Sequence, residues 1–135
     1  MAIKMSVAVR NSKLDAIETA IGVSAVLKIR SGAPPTNITD ADSGTVLATL
    51  TLPSDWMNAA SGGQKTKAGT WEDASADNPG TAGHFRIYAS DGVTQHIQGT
   101  VTITGGGGDM TLDNDVIAAG QKVTITTFSL TEGNA

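Results

Sequence analysis

The stretch GHFRIYASDGVTQHIQGTVTIT, residues 83–104, holds two alternating apolar segments separated by a turn sequence. In the first segment Phe85, Ile87 and Ala89 share one face. The apolar residues that share one face of the second segment are Val93, Ile97, Val101 and Ile103. Because successive side chains of a strand point to opposite faces, this pattern predicts a β-hairpin with one buried and one polar face.

The pairing of the two strands depends on the length of the loop between them. A two-residue Asp-Gly loop would pair apolar Phe85 with polar Gln98. A three-residue loop over 90–92 pairs Phe85 with Ile97 and gives Gly92 the left-handed position that glycine favours. The apolar match favours the three-residue loop.

The opposite face of this hairpin carries polar side chains. They are His84, Arg86, Tyr88 and His96, with Arg86 opposite His96 in the favoured register. Strand faces with charges and hydroxyls ordinarily meet solvent. We therefore expect a polar surface patch, which is also a candidate contact surface.

The same two-residue period continues on both sides of the hairpin. It predicts strands in AVLKIRS (25–31), TVLATLTL (45–52) and KVTITTFSL (122–130), the last with a bend near Thr126-Thr127 where the apolar phase shifts. Turn signals separate about seven such segments, which is typical of an antiparallel β-sandwich or a jelly-roll-like domain. The expected fold is therefore all-β.

One short helix is expected near the N-terminus, over 12–21. Leu14, Ile17 and Ile21 fall on one helical face, Asn11 or Ser12 can cap the start, and Gly22 ends it. The expected organisation is an N-terminal arm with this helix over 1–22 and a β-sandwich over 23–135, together one structural domain. The apolar stripe serves either the core or a partner.

Composition restricts the classes of function. The net charge of −4 and the lack of a Lys/Arg cluster argue against nucleic-acid binding. The absence of cysteine excludes disulfides, thiolate catalysis and cysteine-bound zinc. No apolar run approaches a membrane span and no signal peptide is evident, so we expect no membrane partner and no passage through a secretion pathway.

The stretch TITGGGGDMTLDN, residues 102–114, is the part of the sequence most similar to a ligand-binding loop. A phosphate-binding loop needs a following helix and a nearby lysine, and this stretch has neither. The glycines therefore predict a turn between strands. Asp109, Asp113 and Asp115 lack the spacing of a calcium-binding loop, and solvated turn residues are favoured over an irregular calcium site.

The remaining candidates for chemistry are few. A catalytic histidine needs a nucleophile or an orienting carboxylate, and the outer hairpin face offers neither beside His84 or His96. Trp56 and Trp71 are interpreted as core or interface anchors, with a sugar-binding surface as the alternative. We expect no enzyme activity, cofactor or metal, and therefore a binding or structural module.

Four stretches together carry a family resemblance: AVLKIRSGAPP, DSGTVLATLTLPSDWM, GTAGHFRIYASDGVTQHIQGTVT and GGGGDMTLDNDVIAAGQKVTITTFSL. They resemble small structural proteins of tailed bacteriophages, namely head decoration (cement) proteins or minor tail components. The resemblance implies a β-rich virion protein, made in the host cytoplasm, that binds the major capsid protein or tail subunits without catalysis.

Head decoration is preferred within this class, and a tail, collar or host-surface carbohydrate-binding role is the alternative. A small domain without disulfides gains stability by burying apolar surface between subunits, so we expect a homo-oligomer, a trimer or a dimer. The candidate interface residues are Leu14, Ile17, Ile21, Trp56, Trp71, Arg86 and Tyr88.

Overall fold

The structure is a computed structural model that describes residues 3–133. Within that range the chain forms one helix and ten strands. They are α1 (Val7–Ile21), β1 (Val26–Ser31), β2 (Val46–Thr51), β3 (Gln64–Thr66), β4 (Trp71–Asp73), β5 (Gly80–Tyr88), β6 (Gln95–Ile103), β7 (Met110–Leu112), β8 (Val116–Ile117), β9 (Val123–Ile125) and β10 (Ser129–Thr131).

The largest sheet has the strand order β2-β1-β5-β6-β7, and β8 pairs with the beginning of β5. Its pairs are antiparallel except β6–β7, which is parallel. Two antiparallel ribbons, β3–β10 and β4–β9, complete the strands of the described chain. The prediction of a β-rich fold with one helix is confirmed. The prediction of a wholly antiparallel arrangement is wrong, because β7 runs parallel to β6.

The hairpin β5–β6 forms as predicted but in another register. Ile87 pairs with Ile97 and Phe85 with Gly99, so the predicted pairing is displaced by two residues. The cause lies in the turn, where the carboxylate of Asp91 accepts hydrogen bonds from the backbone of the two residues that follow Gly92. These bonds extend the turn, although Gly92 does adopt the expected positive φ of 70°.

Helix α1 begins earlier than the apolar stripe indicates. Ser6 caps its N-terminus by accepting a hydrogen bond from the backbone N–H of Val9 at 3.3 Å, instead of Asn11 or Ser12. Gly22 ends the helix as predicted, with φ at 93° and its N–H bonded to the carbonyl of Glu18. Residues 7–11, expected to belong to an arm, are therefore helical.

The hydrophobic core lies between one face of the large sheet, the helix and the two ribbons. Phe85 of β5 packs edge-on against Phe128 at 5.7 Å between ring centroids, and Phe128 contacts Trp71 at 5.5 Å. Leu14 and Ile21 of the helix are buried, and Ile17 packs against this core. The helical stripe thus contributes to the protein's own interior.

Candidate functional site

The polar face of the large sheet is covered by residues 32–45, which connect β1 with β2. The side chains on this face are Lys28, Arg30, His84, Arg86, Tyr88 and Gln98. The prediction of a solvent-exposed patch is wrong, because His84, Arg86 and Tyr88 are fully buried. The connecting segment supplies the carbonyls and the carboxylate that these side chains need once they are removed from water.

Arg86 lies at the centre of this covered polar cluster with every N–H donor bonded. Its Nη1 donates to the carbonyl of Asp40 and to Asp42 Oδ1, both at 2.9 Å. Its Nη2 donates to the carbonyl of Asn37, and both Nε and Nη2 donate to Gln98 Oε1. A guanidinium with all its donors satisfied fixes the position of the covering segment and has none left for a ligand.

Asp42 is the shared acceptor of the cluster. Its Oδ1 also accepts from the Tyr88 hydroxyl at 2.8 Å, and its Oδ2 accepts from Arg30 Nη2 at 2.9 Å. Burial acts to raise the pKa of Asp42, but the hydrogen bonds of Tyr88 and Arg86 and the charge of Arg30 outweigh it. The pKa of Asp42 therefore lies below its ordinary value.

His84 is held at the edge of the same cluster. Its Nδ1 lies 2.8 Å from the carbonyl of Gly32, so the proton resides on Nδ1. Burial, chiefly, lowers the pKa of His84, and the charges of Arg30 and Arg86 act in the same direction. The prediction that Arg86 faces His96 is wrong, since Arg86 pairs with Gln98 and His96 is exposed.

The two tryptophans belong to the core. Trp56 and Trp71 are fully buried with ring centroids 6.0 Å apart. Trp56 Nε1 donates to the carbonyl of Gly22, and Trp71 Nε1 donates to the carbonyls of Trp56 and Ala68. Their polar edges are bonded within the fold, so neither ring forms a platform on which a sugar could stack.

The four glycines form the turn between β6 and β7, as predicted. Gly105 and Gly107 have φ values of 87° and 83°, which side chains rarely adopt. The turn is closed by a hydrogen bond from the N–H of Gly106 to the carbonyl of Ile103, and the N–H of Gly108 donates to Thr102 Oγ1. This compact turn brings β7 back to run parallel to β6 after only six residues, 104–109.

The acidic residues after this turn do not gather. Asp109 Oδ2 accepts from the backbone N–H of Thr100 at 2.9 Å and from its hydroxyl at 3.1 Å. Across residues 3–133, no three carboxylate or imidazole groups lie close enough together to hold a metal ion. Asp109 instead caps the open edge of β6.

A second buried charge lies under the helix and was missed by sequence reasoning. Lys65 of β3 is 2% exposed, and its Nζ contacts Asp15 Oδ1 at 2.8 Å and Glu18 Oε2 at 3.1 Å. Nζ also donates to the carbonyl of Asn58. Burial acts to lower the pKa of Lys65, but the two carboxylates outweigh it and raise that pKa. In the sequence, the one indication of this site is the spacing of Asp15 and Glu18, which places both carboxylates on the same face of the helix.

Exposed large apolar side chains occur both near the N-terminus and in later loops and strands, at Val93, Ile103 and Val116. Ile3 is 86% exposed, and Val7, Val9 and Val23 are also exposed. Of the interface residues proposed from the sequence, only Ile17 is partly accessible. The others lie in the interior: Leu14, Ile21, Trp56, Trp71, Arg86 and Tyr88. Apart from Ile17, the accessible apolar side chains of residues 3–23 are therefore not the ones proposed from the sequence.

Two clefts flank β10. One, of about 420 Å³, lies between β3, β7 and the segment leading into β10, and its lining is rich in hydroxyls and amides. The other, of about 360 Å³, lies between β6 and β10 and is lined by Phe85, Ile97, Phe128 and Leu130 among others. Asp109 and Ser129 line both, so the two clefts adjoin.

Comparison with protein-family models, curated proteins and solved structures finds no match to this chain. The helix within residues 3–133 is too short and too polar to cross a membrane.

Proposed function

We propose that this chain is a structural protein of a tailed-phage particle, bound in many copies to the head surface as a decoration protein. The resemblance of four sequence stretches across nearly the whole chain motivates the class. The observation that carries the proposal is the surface of the N-terminal segment. There, Ile3, Val7 and Val9 expose apolar side chains at, or just before, the start of α1. Exposed apolar side chains are candidate contacts for another protein.

The covered polar cluster supports the same role. A segment anchored through Arg86 and Asp42 fixes residues 32–45 against the sheet without a disulfide. A rigid surface suits attachment to a lattice of subunits, since little conformational entropy is then lost on binding. In the same proposal, the β3–β10 and β4–β9 ribbons act as the second layer of a sandwich, an arrangement supported by the Phe85–Phe128 contact.

The copy number in purified particles of the encoding phage tests this proposal. Decoration of a symmetric shell requires on the order of hundreds of copies, whereas a tail or collar component requires far fewer. Quantitative mass spectrometry against the major capsid protein measures the ratio, and a particle reconstruction locates the chain. Absence of the chain from purified particles would overturn the proposal.

A glycan-binding role is the second candidate, favoured by the larger cleft beside β10. Its lining includes the hydroxyl and amide groups of Gln64, Thr66, Thr111, Thr126, Thr127 and Ser129. Such groups can replace the hydrogen bonds that a sugar makes with water. Binding of the isolated protein to host-surface glycans, lost on replacing Thr66 and Thr127 by valine, would establish this role instead.

A further inference from the structure

The segment 32–45, which covers the polar face of the large sheet, is fixed mainly by polar contacts. Each of its residues is exposed or only partly buried, and the hydrophobic core is built from residues outside it. Its carbonyls and the Asp42 carboxylate accept hydrogen bonds from Arg86, Tyr88 and Gln98. A segment that buries little apolar surface opens at a lower free energy than the core beside it.

Glycines with a left-handed backbone stand at both ends of this segment. Gly32 has φ at 80° and Gly44 at 71°, and a Cβ atom at Gly44 would collide with the carbonyl of Ser31. Glycine meets the least steric penalty when its backbone rotates, and hinges lie at a few such positions near the ends of secondary structure. The two glycines therefore allow the residues between them to move as a unit. The hydrogen bond from the N–H of Ser31 to the carbonyl of Thr45 lies outside them and keeps the two strands joined.

His84 of β5 is bonded to the first of these hinges. Its Nδ1–H donates to the Gly32 carbonyl, and its Nε2 is buried without a hydrogen-bond partner among the described residues. The neutral ring, with its proton on Nδ1, is therefore the form that the closed segment accommodates. A second proton on Nε2 would be a buried donor without an acceptor, and such a donor on a charged group is costly.

The strands beside His84 present mainly positive charge to it. Arg30 of β1 lies directly opposite His84, and Arg86 follows two residues later on β5. On the other side the residue opposite is Thr100 of β6, whose hydroxyl and backbone N–H are bonded to the carboxylate of Asp109. A protonated His84 would be a third cation beside two guanidinium groups, and like charges disfavour the charged form.

The covering segment supplies one carboxylate to balance these charges. Asp42 already accepts hydrogen bonds from both guanidinium groups and from Tyr88. The carboxylate of Asp40 is bonded to the backbone N–H of Asn37 within the segment. Burial, chiefly, and the guanidinium charges hold the pKa of His84 below its ordinary value, although the hydrogen bond of its Nδ1 and the charge of Asp42 act in the opposite direction. The closed segment therefore disfavours the protonated ring.

We propose that protonation of His84 releases the segment 32–45 from the large sheet about its two glycine hinges, while the hydrophobic core stays folded. Opening lets water bond Nε2 and weakens the repulsion among the cations of the sheet face, because water has a high dielectric constant. The released state exposes the guanidinium of Arg86 and the hydroxyl of Tyr88. Acidification thus converts a covered face into a cationic, hydrogen-bonding surface. This switch is independent of the particle to which the chain binds.

Hydroxyl-radical footprinting tests the proposal through Tyr88, which is the single tyrosine of the chain and is fully buried in the closed state. Trp71, fully buried in the core, reports on global unfolding in the same sample. When His84 has its ordinary pKa of about 6.5 in the released state, the opening constant rises about tenfold between about pH 7.5 and about pH 5.5. We expect the oxidation of Tyr88, measured by peptide mass spectrometry, to rise about tenfold over this range, while that of Trp71 stays constant.

His84→Asn keeps a donor for the Gly32 carbonyl and removes the titrating group, so the oxidation of its Tyr88 should not change with pH. His96→Asn, at the exposed histidine, should respond as the wild type does. A rise that persists in His84→Asn, a rise shared by Trp71, or no rise in the wild type would overturn the proposal. Should His84→Asn fail to fold, an NMR titration of the His84 imidazole in the wild type decides instead. Protonation of the ring must coincide with the exposure of Tyr88, and a protonated ring beside a protected Tyr88 would also overturn the proposal.

Discussion

Asp42 is the residue on which the covering of the polar sheet face depends. It accepts hydrogen bonds from Arg30, Arg86 and Tyr88, and it belongs to the connecting segment rather than to the sheet. Two guanidinium groups share this single carboxylate, and their side chains are at most 8% exposed. Removing its charge therefore leaves buried positive charge with less compensation.

Replacing Asp42 by asparagine should lower the free energy of unfolding by about 2 kcal/mol, since buried donors lose a charged acceptor. The matched control is Asp113→Asn, which alters an exposed carboxylate and should change stability by less than about 0.5 kcal/mol. Urea denaturation followed by circular dichroism measures both. Equal stabilities for the two variants would show that the carboxylate does not anchor the segment.

His84 should make stability depend on pH near neutrality. Its pKa in the folded protein lies below the unfolded value, mainly because of burial. The neutral form is thus favoured by folding, so its stability contribution is complete above the unfolded pKa of about 6.5 and is lost as pH falls below it. The pKa of Asp42 is also lowered, but that carboxylate acts only below about pH 4.

The urea midpoint of the wild type should therefore decrease between about pH 7.5 and about pH 5.5. His84→Asn keeps a donor for the Gly32 carbonyl and removes the titrating group, so its midpoint should change less. His96→Asn, at the exposed histidine, should behave as the wild type does. A wild-type decrease that survives in His84→Asn would assign the titration to another group.

At this scale the sequence predicts the identity of the polar face but not its burial. The alternation that separates Phe85 and Ile87 from Arg86 and Tyr88 is confirmed. The covering of Arg86 depends on a partner 44 positions away in the chain, and local periodicity carries no signal over that distance.

Helix α1 illustrates how a capping residue and not the apolar stripe decides where an element begins. Ser6 accepts the N–H of Val9, and the helix runs from Val7 although its first buried residue is Leu14. Asn11, expected as a cap, instead accepts the backbone N–H of Gly63 at 2.9 Å. The side chain of Asn11 is thus engaged in a tertiary contact, and the cap is the local one made by Ser6.

Ser6→Ala should destabilise the protein by about 1 kcal/mol, because an orphan N–H of the first turn loses its acceptor. Ser12→Ala is the matched control, an exposed position inside the helix where alanine favours helix by about 0.5 kcal/mol. The two unfolding free energies should move in opposite directions. If Ser12→Ala alone lost stability, the helix would be capped by Ser12, as the sequence predicts, and not by Ser6.

The glycine turn between β6 and β7 gives a second test at the scale of an element. Gly107 has φ at +83° with open space around the position of a Cβ atom, so only backbone strain opposes alanine there. Gly107→Ala should cost about 1 kcal/mol in unfolding free energy. Gly133→Ala, which has open space and no positive φ, should be neutral. A neutral Gly107→Ala would mean that the turn adopts another conformation.

The sequence predicted those strands in which apolar and polar residues alternate regularly. The strands at 26–31 and 46–51 and the β5–β6 hairpin were expected, and the chain does break between Ile125 and Ser129, where the apolar phase shifts. Strand β7 was not expected, because three residues after a glycine turn carry too little period. Strand β7 runs parallel to β6 because of the glycine turn between them. The alternation of apolar residues does not indicate the geometry of that turn.

At the scale of the whole molecule, the central strands β1 and β5 of the large sheet are buried on both faces, whereas the sequence predicted one buried and one solvent-exposed face. One face packs on the core and the other on the segment 32–45, which the sequence presented only as a loop rich in proline and turn residues. The cost of burying charges beneath that loop is offset by hydrogen bonds within the same molecule. Among the described residues, exposed large apolar side chains remain at Ile3, Val7, Val9 and Val23, and also at Val93, Ile103 and Val116.

Removing residues 1–5 is the truncation that separates assembly from folding. It spares the Ser6 cap and the whole of α1, so the shortened chain should keep the circular dichroism spectrum of the full chain. Ile3 is 86% exposed, so we expect it to contact a second copy of the chain. In sedimentation velocity the full chain should therefore run as a dimer or trimer and the shortened chain as a monomer.

Removal of residues 1–10 is the matched comparison. It deletes the cap, the first turn and the Arg10 contact with Glu132, so it should lower stability as well as association. A stable monomer of the full chain, or a persistent oligomer after removal of residues 1–5, would show that residues 1–5 do not hold copies of the chain together. Because particle binding is measured separately, an oligomer that forms normally yet fails to attach to heads would contradict only the decoration role.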